Sequence, residues 1–137
     1  MPLRLIEQET IMNASIAINA YSTIKKQTVS SQEVGYNVIS SALHKLDANL
    51  SILIFKNDLK ETSKAYERSL LTIYFLQKSL DFNSGSDLAK NLFRLYEFCR
   101  TTLLEKGISG SHDDSDLKKC HSFINEIMKS WDTLKTP

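Results

Sequence analysis

Three histidines, two cysteines and one acid-rich loop are the side chains of this chain that could carry chemistry. A di-iron carboxylate centre in a helical bundle needs Glu-x-x-His pairs, which set a carboxylate and an imidazole on one helix face. Three residues before His44, His112 and His121 stand Ser41, Ser109 and Lys118, so that pairing is missing. Histidine phosphotransfer needs an exposed imidazole with a lysine beside it and a glycine that lets the phosphoryl group approach. In His44-Lys45-Leu46-Asp47 the lysine falls at the wrong spacing and there is no glycine. Helical nucleases set an arginine a few residues ahead of a histidine, and no arginine stands there. The loop around His112, Asp113, Asp114 and Asp116 lacks the alternating acids and closing Glu of a calcium loop. It reads as a solvated connector that ends in a helix cap. Cys99 and Cys120 fall on apolar stripes, where they read as buried small hydrophobes rather than a disulfide framework or a zinc site. The expectation is a protein that is not an enzyme, with no catalytic residue, no metal and no cofactor.

The elements that would position any site are helices. At 137 residues, with 42% apolar and 24% charged, the chain is the size of one domain, 1–137, with a self-sufficient core. It has two prolines, Pro2 and Pro137, and four glycines, too few turn formers for a sheet-rich domain. Seventeen basic residues against sixteen acidic leave a net charge of +1, which provides no field for nucleic acid and no polybasic run for a membrane surface. Glu7 and Glu9 stand where an export signal would need its apolar stretch. No window is expected to reach the ~20 uncharged apolar residues of a membrane span. These features point to a cytoplasmic, reducing setting.

Helical periodicity dominates from Ser30 onward. Ser30-Ser31-Gln32-Glu33 reads as a capping box. Behind it Val34, Val38, Ala42 and Leu46 form one stripe, and Ile39, Leu43, Leu46, Leu50 and Leu53 an adjacent one. Lys56-Asn57-Asp58 interrupts this helix. The next spans about 59–80, with Tyr66, Leu70, Ile73, Leu76 and Leu80 at helical spacing, and with Leu71, Tyr74 and Phe75 widening its apolar face. A turn follows, with Gly85 as its left-handed stop and Ser86 as the next cap. Leu88, Leu92, Leu95, Tyr96, Cys99, Leu103 and Leu104 line the third helix, which Gly107 ends. Ser115 caps the last, with Leu117, Cys120, Ile124, Ile127, Trp131 and Leu134 in steps of three or four. Short loops between long helices predict an all-α, antiparallel up-and-down four-helix bundle over 30–135, with an additional N-terminal helix or segment over 1–28.

A bundle helix needs one apolar stripe, and two of these helices carry more than that. Something must cover the rest: the N-terminal segment, or a groove that receives a segment of a partner. Self-association through the same faces, giving a homodimer, is the alternative arrangement.

The stretch Ser79-Leu80-Asp81-Phe82-Asn83-Ser84-Gly85-Ser86-Asp87-Leu88-Ala89-Lys90-Asn91-Leu92-Phe93-Arg94-Leu95-Tyr96-Glu97-Phe98 resembles the signature of the flagellar secretion chaperones, the FliS family. That signature runs Ser-Leu-Asp, a few residues with glycine, then Leu-Ala-x-Asn-Leu-x-x-Leu-Tyr. Ala20-Tyr21 and Thr28-Val29-Ser30-Ser31-Gln32-Glu33 are similar to the family's upstream motifs, and Leu103-Leu104-Glu105-Lys106 and Trp131 fall in register. Val38-Ile39-Ser40-Ser41-Ala42 departs from the family's Leu-Tyr-Asp-Gly-Ala. The resemblance implies a cytoplasmic export chaperone. Such a protein binds the disordered C-terminal segment of flagellin, prevents premature filament assembly and presents the subunit to the export machinery without nucleotide or metal. It further implies one groove wall from Val34, Val38, Ile39 and Ala42. Asn91, Leu92, Leu95 and Tyr96 are expected to supply the other wall or its scaffolding. Tyr21 and Ile24 match an N-terminal element that covers the groove until the client displaces it.

Overall fold

The computed structural model describes Tyr21 and residues 29–83, 87–107 and 114–134, with side chains from residue 35 onward in the first helix. Four helices fill these stretches: α1 Val29–Phe55, α2 Leu59–Lys78, α3 Leu88–Lys106 and α4 Ser115–Thr133. The all-α bundle expected from the sequence is what forms. α1 packs on α2 and α4, and α3 packs on the same two, closing a ring of four. The α1/α4 contacts run antiparallel: Ser40 and His44 meet Asp132, whereas Asp47, further along α1, meets Asn125 and His121, earlier in α4.

Local chemistry sets the helix ends. At the Lys56–Asp58 break, the Asp58 carboxylate accepts from the Lys60 amide at 3.1 Å, satisfying one of the free donors at the start of α2. α2 ends at Ser79, whose hydroxyl donates back to the Phe75 carbonyl at 2.7 Å. Gly107 closes α3 at φ 60°, in the left-handed region that a side chain resists, and its N–H reaches the Leu103 carbonyl at 2.9 Å. Asp87 and Asp114, rather than Ser86 and Ser115, occupy the N-cap positions of α3 and α4. Lys106 at the end of α3 pairs with Asp114 and ties the two helix ends together. The side chains of the Ser30–Glu33 box, and residues Gly85, Ser86 and 108–113, lie outside the described residues.

The core is one continuous cluster. Leu43, Leu46 and Leu50 of α1 meet Ile73 and Leu76 of α2, Leu95 and Cys99 of α3, and Ile124 and Trp131 of α4. Each such side chain, fully withdrawn from water, contributes about 1.5–3 kcal/mol. α1 is unusual in its composition. By length and mean hydropathy Gly35–Phe55 could cross a membrane, although it is not the uncharged apolar run that a span was expected to need. In the bundle it is a wall. It carries Lys45 and Asp47, and the latter accepts from Asn125 Nδ2 at 3.0 Å across the α4 seam. Its large aliphatic residues Ile39, Leu43, Leu46 and Leu50 are fully buried, its outer positions are mostly polar, and Val38 and Phe55 are its exposed large hydrophobics among the described residues.

Candidate functional site

The exposed Val38 lies on the side of α1 away from α4. Asn37, Val38, Ser41, Ala42 and Lys45 of α1 and Phe75 of α2 line a solvent-open groove of about 490 Å³. Val38 and Ala42, four residues apart, form its α1 floor, and Val38 stays 44% exposed. On α2, Leu71 lies one helical turn before Phe75 and is 62% exposed, as is Tyr74. The Lys78 ammonium lies 5.9 Å from the Tyr74 ring centroid, a cation–π contact on the outer face. The arrangement is a slot with an apolar floor and polar lips. A smaller cavity of about 140 Å³ sits at the opposite end, between Leu53, Leu59, Tyr66 and the Lys106–Gly107 corner.

The α1/α4 seam, by contrast, is shut by polar clips. His44 Nε2 lies 2.9 Å from Asp132 Oδ2, and the Ser40 hydroxyl donates to Asp132 Oδ1 at 3.3 Å. Further down, His121 Nε2 sits 3.1 Å from Asp47 Oδ1. These clips hold α1 on α4, and the groove lies on the other flank of α1, beside α2.

An aromatic knot closes the end of the bundle near Val38. Tyr21 is 1% exposed and bridges to Leu80 as an isolated antiparallel pair. Its hydroxyl lies 2.6 Å from that of Tyr96, and its ring meets Trp131 edge-on, centroids 5.4 Å apart. Trp131 stacks on Tyr36 at 5.0 Å and donates through Nε1 to the Tyr36 carbonyl at 3.3 Å. Burial pushes the Tyr21 and Tyr96 phenols well above the ordinary range, so they serve as a neutral hydrogen-bonded pair. Tyr36 lies two residues before Val38 but points about 200° away from it, so the knot is at the same level of α1 as the groove and on the α4 side.

The sequence-derived residues divide between surface and interior. Val38 and Ala42 reach the groove, and Ile39 is fully buried. Leu92, Leu95 and Tyr96 face the core, as scaffold. Asn91 is 5% exposed; Arg94 Nη1 donates to its Oδ1 at 3.4 Å, and its Nδ2 has no partner among the described residues. Ile24 and the side chain of Val34 lie outside the described residues. The second wall comes from Phe75 of α2, with Lys45 on the α1 rim, two positions that the family motifs do not mark. The signal for the α2 wall lay in the widened face of Leu71, Tyr74 and Phe75.

Cys99 and Cys120 face each other between α3 and α4, both buried. The hydrogen bond between the two thiols, then burial, pushes Cys99 up. No group of three or more His, Cys, Asp or Glu that could hold a metal ion occurs among the described residues. What the groove can do is bind an apolar segment. The model of one family, described as flagellar protein FliS, matches residues 12–137. No curated protein matches the chain.

Proposed function

Because the chain belongs to the FliS family of flagellar proteins, we propose that it is a cytoplasmic export chaperone whose α1–α2 groove holds the C-terminal segment of flagellin. The segment, disordered when free, orders as helix against the floor formed by Val38, Ala42 and Phe75. Covered in this way, flagellin cannot polymerise before secretion. The work is binding rather than catalysis. The single observation that carries this reading is the solvent-open groove in which Val38 and Ala42 of α1 face Phe75 of α2.

Tyr21 supports a role for the N-terminal segment. It is anchored in the core at one end of the bundle through one buried ring and one backbone bridge to Leu80. In this reading the segment is a cover that the client moves aside.

The test is direct binding of a synthetic C-terminal flagellin segment to the full chain and to Val38→Asp. Val38 is a surface residue, so the variant keeps its helical circular dichroism while binding is lost. Binding that survives in Val38→Asp would remove the groove from the account, and a stable dimer indifferent to the segment would favour self-association through these faces.

A further inference from the structure

The groove has a polarity as well as a floor. Lys45 lines it, and Arg68 lies seven residues before Phe75, two turns along the same stripe of α2. Lys64 continues that stripe one turn earlier, and Lys78 stands over Tyr74 at its upper end. All four cations are exposed, and none is in an ion pair with a described residue. Opposing charge is sparse. From Arg68 to Lys78, beside Val38 and Ala42, α2 carries no acid; Glu67 directly precedes Arg68, and Glu61 begins the stripe seven residues before it. Asp47, the acid of α1 within 35–55, is directed at Asn125 and His121 on the α4 side. The chain as a whole is nearly neutral at +1, so this one-sided rim is a local feature rather than an overall excess of base.

We propose that the α1–α2 groove selects an amphipathic helical segment whose apolar stripe is bordered by carboxylates, which meet Lys45, Arg68 and Lys78 as the stripe settles on Val38, Ala42 and Phe75. This rests on the reading of the groove as the client site and adds the chemistry by which a client is chosen. Apolar contact supplies the affinity, but any greasy helix offers that. Complementary charge at the rim fixes orientation and register, and like charge excludes competitors. Such pairs are solvent-exposed, so their contribution fades as salt rises.

The experiment uses the full chain and two synthetic peptides of about 18 residues, five helical turns. Both carry one leucine stripe; one is bordered by glutamates and the other by lysines. A flagellin C-terminal segment is titrated alongside. The glutamate peptide is expected to bind about tenfold more tightly than the lysine peptide in low salt, a preference that shrinks toward unity near 0.5 M salt (about one-third of the low-salt screening length or less). Lys45→Glu/Arg68→Glu, a surface change between good helix formers, is expected to invert the preference with the helical spectrum intact. Equal binding of the two peptides, or a preference that the double reversal leaves unchanged, overturns the inference even if flagellin binds. Failure of the flagellin segment to bind, with the glutamate preference present, overturns the client assignment and leaves the charge selection standing.

Discussion

Val38 and Ile39 are adjacent in the chain and about 100° apart on α1. One is 44% exposed in the groove and the other fully buried, so the same kind of substitution has opposite consequences at the two positions. Ile39→Ala is expected to cost about 2–5 kcal/mol in urea unfolding by opening a cavity, with the groove surface unaltered. Val38→Asp is expected to change stability by less than about 0.5 kcal/mol and to remove binding. The Tyr21–Tyr96 hydroxyl pair offers a second test. Tyr21→Phe strands a buried O–H on Tyr96 and is expected to cost about 1–3 kcal/mol, whereas Tyr21→Phe/Tyr96→Phe together cost less than the sum of the two single changes. The sequence revealed both α1 stripes but not which one faces inward, because aliphatic residues fill each equally well. Partner helices decide that, and they are distant in the chain. Asn91, Leu92, Leu95 and Tyr96 illustrate the same limit: a family motif marks residues that matter without separating scaffold from contact.

Among the elements, α2 and α3 are joined by a charged clasp. Glu97 accepts from Gln77 Nε2 at 3.0 Å and from Arg100 Nε at 2.9 Å. The hydrogen bonds from Arg100, then that from Gln77, hold its carboxyl down to about 2, against 4.5 for an ordinary one. A carboxyl depressed in the folded state contributes stability that is complete above the unfolded value and disappears as pH falls through the folded one. Unfolding free energy is therefore expected to decline between pH 4.5 and about 2, and Glu97→Gln to flatten that decline. The group is about one-third exposed, so the amount is about 1 kcal/mol or less. Gly107→Ala should cost about 1 kcal/mol in thermal unfolding, since a φ of 60° strains any side chain although the space beside it is open. Helix existence and most borders were legible because Asp58 and Gly107 are local signals. The N-caps of α3 and α4 each fell one residue earlier or later than expected, at Asp87 and Asp114, where neighbouring polar residues compete for one position.

At the scale of the molecule, the central property is the division of α1 between core and groove. α1 is apolar enough by length and composition to span a membrane; Ile39, Leu43, Leu46 and Leu50 turn into the core, while Val38 stays exposed in a groove shared with Phe75. That division was visible in the sequence as two stripes where one suffices. The location of the second wall was not, since it depends on α2 rather than α3 lying across the groove. The FliS family membership and this groove together point to a protein whose work is holding a client segment. Isothermal titration of the full chain with the flagellin C-terminal segment tests it most directly. One-to-one binding tighter than about 1 μM (about −8 kcal/mol) is expected, with a negative heat-capacity change from buried apolar surface and loss of both in Val38→Asp. An absence of binding heat at several temperatures, or an unchanged isotherm for Val38→Asp, would contradict it.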